Sequence, residues 1–236
     1  MWKIFVISIV LLFIGCFPMI NHYQTGQTAP KGHLQVGGSF SPYYYSTLSS
    51  EALLWPITRL DFKYGITDRL DIGTAFLFNY IIPGIAFNAK YQVLSGNFDG
   101  AVLLDGSYSR YSYTIFNASA TDKITTLRPT FVLSRDHQGG FPFSIAMGLH
   151  YWHVANTTTD NEADTTWHNK YSITALTLNL GVPIRFGSMR FMPEIGLWMP
   201  FIGSASIGNE NNSYFLEKGN PIFQAGAYMG YDGKRE

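Results

Sequence analysis

The sequence predicts an all-β fold: one antiparallel up-and-down transmembrane β-barrel of about ten strands, preceded by a cleaved signal peptide. Three observations predict it. From Gly32 onward, apolar and polar residues alternate with period two. Charged residues make up 14% and aromatics 16% of the chain, against about 25% charge in ordinary soluble domains. A surface that meets lipid needs little charge. Beyond residue 20, no apolar run is long enough for a transmembrane helix. A closed barrel is the other fold that satisfies its backbone polar groups inside lipid. The 236 residues suffice for one such barrel, and 16 basic residues against 16 acidic leave no basic face for nucleic acid.

The elements follow in chain order. Residues 1–15 read as a signal peptide, with Lys3 as the positive region and residues 4–14 (IFVISIVLLFI) as the apolar region. Phe13-Ile14-Gly15-Cys16 is similar to a bacterial lipobox, which makes Cys16 the expected lipidation point and the start of the mature chain. A single cysteine allows no intrachain disulfide. Residues 16–31 read as the lipidated N-terminus and a flexible tether. The fifteen residues after Cys16 would span at most about 50 Å. Residues 32–236 form the barrel.

Strand-like segments fall near 32–44, 53–65, 69–80, 84–94, 100–116, 124–134, 141–155, 170–185, 189–201 and 220–231. On one face of the second stand Leu60, Phe62 and Tyr64, on the other Arg59, Asp61 and Lys63. Short turns near 65–68, 95–99, 135–140 and 186–188 alternate with longer polar connections near 45–52, 117–123, 156–169 and 202–219. Such alternation, with an even strand count, is the outer-membrane pattern and puts both chain ends on the periplasmic side. Aromatics gather at strand ends, as interfacial girdles do. Tyr43, Tyr44, Tyr45, Trp55, Tyr80, Tyr151, Trp152, Tyr171, Trp198 and Phe201 lie toward the outer side; Tyr64, Tyr91 and Tyr231 lie toward the inner. Pro56, Pro129 and Pro193 fall inside strands and call for bulges or strand ends.

The stretch Tyr64-Gly65-Ile66-Thr67-Asp68-Arg69-Leu70-Asp71-Ile72-Gly73 resembles the periplasmic hairpin of bacterial outer-membrane β-barrel proteins. Gly65 is read as permitting the tight turn and Asp68 as capping it. Thr28-Ala29-Pro30-Lys31-Gly32-His33-Leu34-Gln35-Val36-Gly37 is similar to the approach to the first strand in such proteins, lipoproteins among them. The resemblance implies architecture and a lipid-anchored place in the bacterial outer membrane. It implies no catalytic or ligand residue.

The polar strand face supplies the candidate lumen charges: Arg59, Asp61, Lys63, Asp71, Lys90, Asp105, Arg128, Arg190 and Glu194. At about ten strands they are expected to pair and fill the lumen, with a narrow polar passage as the alternative. His150, His153, Asp160, Glu162, Asp164 and His168 crowd one strand end and the following loop. A metal or hydrolytic site is one reading of them. In a strand, however, His150 and His153 point to opposite faces. No nucleophile elbow, phosphate loop or metal-spaced cysteine appears, so neither enzyme activity nor cofactor is expected. The expected role is structural, or passage of a small solute. Membrane lipid is the implied partner, and the sequence names no protein partner. Two other classes stay open: a soluble lipocalin-like lipoprotein that binds an apolar ligand, and an outer-face membrane hydrolase.

Overall fold

The computed structural model describes residues 24–41, 44–46, 52–54, 57–79, 83–115, 118–135, 141–160, 165–207 and 222–231. The signal segment, Cys16, Tyr43, Trp55, Pro56, Tyr80, Glu162 and Asp164 lie outside them. Every described element is a strand. In chain order they are β1 (Leu34–Ser41), β2 (Tyr44–Ser46), β3 (Ala52–Leu54), β4 (Ile57–Thr67), β5 (Leu70–Asn79), β6 (Pro83–Leu94) and β7 (Asp99–Ile115). There follow β8 (Ala118–Arg135), β9 (Phe143–Asp160), β10 (Thr165–Gly181), β11 (Ile184–Phe186), β12 (Met189–Ile207) and β13 (Ile222–Tyr231).

Antiparallel neighbours run β1-β4-β5-β6-β7-β8-β9-β10-β12-β13 and back to β1, which closes a barrel of ten strands. Strands β2 and β3 form a separate hairpin between β1 and β4. The short β11 continues β10: Gly181 faces Glu194 and Ile184 faces Phe191 in one unbroken register. The ladder is interrupted at Pro183, which has no N–H to give, while Val182 still donates to the Pro193 carbonyl. Gly187, with φ of 62°, makes the tight return into β12.

The alternation is inverted relative to a soluble domain. Phe87, Ile195, Met229 and Phe223 are between 57% and 72% exposed and point outward. Small and charged residues fill the inside, among them Ala75, Ala86, Ala101 and Asp71, all 0% exposed. A lipocalin-like calyx needs an apolar interior, and this barrel has its apolar face outside.

The ten expected barrel segments all appear, with three corrections at their ends. First, residues 118–123, 156–160, 165–169 and 202–207 are strand and not loop, so β7 to β10 and β12 stand taller than β1 and β4 to β6. The first three stretches are rich in Thr and Asn. β-branched Thr favours strand, and the rungs are tied by side chains, as in Ser112–Thr121 at 2.9 Å and Thr159–Thr166 at 3.2 Å.

Second, the turn after β4 is made by Asp68 and Arg69, and Thr67 Oγ1 accepts the Arg69 N–H at 3.2 Å. Gly65 has no left-handed φ, so it does not make the turn. Its missing side chain serves a close backbone approach instead. Gly32 N–H donates to the Gly65 carbonyl at 2.8 Å, and a β-carbon on Gly65 would lie 2.1 Å from the Pro30 carbonyl.

Third, Trp198 and Trp152 do not belong to an outward girdle. Trp198 is 4% exposed and packs on Ala175, and Trp152 shares the inward face of His150. Tyr64, Tyr91 and Tyr231 do stand outward, each between 45% and 51% exposed at the short-turn end. Pro129 coincides with a gap in the β8–β9 ladder between the Leu127–Tyr151 and Thr130–Gly148 pairs. Pro193 stays in register and accepts from Val182 N–H at 3.0 Å, using the acceptor that proline keeps.

Candidate functional site

Strand alternation places all nine sequence-derived charges on one inner face. Arg59, Asp61 and Lys63 project from β4, Asp71 from β5 and Lys90 from β6. Asp105 projects from β7, Arg128 from β8, and Arg190 and Glu194 from β12. None is more than 6% exposed. Asp99, at the start of β7 and 3% exposed, joins them. Arg59, Lys63, Lys90, Arg128 and Arg190 are thus balanced by Asp61, Asp71, Asp99, Asp105 and Glu194. A single uncompensated buried charge costs several kcal/mol, so a lumen this crowded has to be near neutral.

The pairing links strands that are not neighbours. Asp105 takes Arg59 Nη2 at 3.0 Å on one oxygen and Arg128 Nη2 at 2.8 Å on the other. Arg59 Nε also donates to Asp61 at 2.8 Å, and the Asp105 carboxylate with the two guanidiniums links β4, β7 and β8. Lys90 Nζ lies 3.3 Å from Asp71, and Asn179 Nδ2 donates to Glu194 at 2.8 Å. Lys63 and Arg190 flank the Tyr228 ring at 5.8 and 5.4 Å. That ring lies over Gly37 and Gly230, where a β-carbon would stand 2.0 Å from the Tyr228 oxygen.

Residues 24–29 do not form the free tether expected of them. They cross the short-turn mouth inside the barrel, each 6% exposed or less where a side chain is present to measure. Wall side chains from much of the circumference hold them. Ser144 Oγ donates to the Gln24 carbonyl at 2.8 Å, and Arg190 Nη1 donates to Thr25 Oγ1 at 3.2 Å. Gly26 N–H donates to Ser134 Oγ at 2.8 Å, and Gln27 Nε2 donates to Asp99 at 2.7 Å. Lys90 Nζ donates to the Gln27 carbonyl, and Ala29 N–H donates to Asp71 at 2.9 Å. The length of chain left between Cys16 and the mouth is therefore residues 17–23.

The histidine-rich strand end is not drawn into one centre. His150 is 1% exposed in the lumen, edge-on to Trp198 at 6.5 Å, and neither of its ring nitrogens has a hydrogen-bond partner among the described residues. His153 lies on the other face, stacked on Tyr151 and 2.8 Å from Ser172 Oγ. His168 meets Thr157 at 3.2 Å on the exposed surface. Among the described residues no group of His, Cys, Asp and Glu could hold a metal ion.

Sequence reasoning missed Asp99, the lumenal place of Trp198 and the strap formed by residues 24–29. Asp99 opens a strand, where the alternation had not yet begun to register. The strap left no periodic signal because it forms no strand. Its small polar composition, Gln-Thr-Gly-Gln-Thr-Ala, is shared by linkers and by any segment held through its main chain.

No family model matches the chain, and no curated protein matches it in sequence. Among solved structures, the outer membrane protease OmpT from Escherichia coli is similar, with 11% identity over 84% of this chain and 94% of that one and a TM-score of 0.46. The translocator domain of the autotransporter NalP from Neisseria meningitidis shares 10% identity over 90% of each chain, with a TM-score of 0.49.

Proposed function

We propose that the chain is a lipid-anchored protein of the bacterial outer membrane whose barrel has a closed lumen and serves a structural, non-enzymatic role. One observation carries this reading: an apolar exterior encloses a charge-balanced, buried ion set. Such an inside-out pattern suits a barrel whose solvent is lipid. The strap across the short-turn mouth and the Arg59–Asp105–Arg128 bridge leave the interior filled by side chains, as small barrels are. Cys16 supplies the anchor, and the short-turn end faces the periplasm, on the same side as the strap. Passage of a small solute is the second reading. It is favoured by the buried Asn88 amide and the His150 ring, polar groups without partners among the described residues that a file of water would satisfy.

Two measurements test this. In the outer-membrane fraction, the unboiled and boiled protein should differ in mobility on a denaturing gel. In planar bilayers the purified barrel should give no conductance steps. Steady steps that change selectivity in Arg128→Ala or Lys90→Ala would replace the closed reading with the passage. Release of the protein as a soluble species after Cys16→Ser would defeat the membrane reading altogether.

A further inference from the structure

We propose that the short-turn half of the lumen is a binding site for a polypeptide segment held through its main chain, and that residues 24–29 are its tethered occupant. The strap is not part of the barrel wall. The described ladder begins at Leu34, and upstream of it the backbone touches the wall through the Lys31–Gly65 bridge and its neighbouring hydrogen bonds. Residues 24–29 are held by wall side chains, as a ligand is.

Four of those contacts read main chain. Lys90 and Ser144 donate to carbonyls, while Ser134 and Asp71 accept from N–H groups. Such contacts do not depend on the identity of the side chains. Side-chain contacts read Thr25 and Gln27, and the strictest position is Gly26. A β-carbon on Gly26 would stand 2.1 Å from the Asp99 carbonyl, so only glycine fits there. The lead into β1 turns at Gly32 and is pinned there to Gly65. Pro30 fixes its own φ, and Gly32 takes a φ of 76° with open space around it. The ligand class is therefore a segment with hydroxyl and amide side chains and a glycine at the third position.

The inference depends on the lumen geometry and not on lipid anchoring, so the two can fail separately. The probe is a fluorescein-labelled peptide of residues 23–31, measured by anisotropy in detergent micelles. With residues 24–29 deleted, the barrel should bind the peptide saturably. The intact barrel should bind it at least tenfold more weakly, because a tethered occupant competes at about millimolar effective concentration. Lys90→Ala in the deleted barrel should weaken binding tenfold or more. A deleted barrel that keeps its heat-modifiable mobility yet shows no saturable binding overturns the proposal.

Should the deletion prevent folding, the full chain carrying Cys16→Ser and Thr25→Cys decides. Adding Gly26→Val should raise the maleimide reactivity of the thiol at position 25 at least tenfold while the barrel stays folded. Unchanged shielding in a folded barrel would show a fixed piece of core rather than an exchangeable ligand.

Discussion

Asp105→Ala is the sharpest test of the lumenal network. The carboxylate accepts two charge-assisted hydrogen bonds, from Arg59 at 3.0 Å and from Arg128 at 2.8 Å. Each such bond contributes about 1.5–3 kcal/mol. Removing one member of a buried ion group costs about 3–5 kcal/mol, mostly because the remaining charge is stranded. Arg59 keeps Asp61 at 2.8 Å, which limits its share of the loss. The expected cost of Asp105→Ala is therefore about 3–5 kcal/mol. The assay is reversible urea unfolding in lipid vesicles, followed by tryptophan fluorescence and by the fraction of protein that runs as the folded band. A companion variant, Arg59→Met with Asp61→Leu, Asp105→Leu and Arg128→Met, removes all four charges of the linked group together. It should lie well above Asp105→Ala in stability, since replacing a whole buried ion set with apolar side chains is often near neutral. If Asp105→Ala costs less than about 1 kcal/mol, the carboxylate is hydrated and weakly paired, and a filled lumen is the wrong description.

Three further substitutions probe the outer face and the junction of β1 with β13. Phe87→Arg places a cation on an outward position that is 61% exposed, and should cost about 2–4 kcal/mol near the bilayer midplane. Ser112→Arg, on the tall part of β7, should change stability by less than about 0.5 kcal/mol in the same urea assay; equal effects would place both in one solvent. Gly37→Ala drives a β-carbon against Tyr228 and should cost about 1–3 kcal/mol. In a Tyr228→Ala background that cost should vanish, and an undiminished cost in the double variant would show that the glycine is needed for some other reason.

The parts of this fold that were legible in the sequence are those that repeat. Leu60, Phe62 and Tyr64 against Arg59, Asp61 and Lys63 is a two-residue period, and it reports strand, face and register at once. Which face is inside does not follow from the period. It follows from the scarcity of charge: with so few charged residues, the nine on the strand faces could not also coat a solvated exterior. Features set by single contacts were not legible. Trp198 carries the same aromatic signal as a girdle residue, and only its register with Thr177 and its packing on Ala175 turn it inward. Gly65 looks like a turn glycine because it stands three residues before Asp68. Its actual constraint is a backbone from elsewhere in the chain, the carbonyl of Pro30, which no local pattern encodes. The strap is the extreme case, since its structure is dictated by the walls that surround it.

The alanines of the inner face carry the last test. Arg59 lies on β4 and its partner Asp105 on β7, with β5 and β6 between them. On the ladder, Asp61 faces Ala75, Ala75 faces Ala86, and Asn88 faces Asp105. A line from Arg59 to Asp105 therefore runs over Ala75 and Ala86, both fully buried. These two small side chains leave the groove in which a long guanidinium can lie along the wall and reach a carboxylate three strands away. Ala86→Leu fills that groove. Overpacking alone should cost about 1–3 kcal/mol. If the Arg59–Asp105 contact is lost as well, about 1.5–3 kcal/mol is added. The two contributions separate in a double-mutant cycle, because Asp105→Ala has already removed the contact. Ala86→Leu should then cost less in the Asp105→Ala background than in the intact barrel, by about 1.5–3 kcal/mol. Identical costs in both backgrounds would mean that Arg59 takes another course through the lumen, and that the small residues serve packing alone.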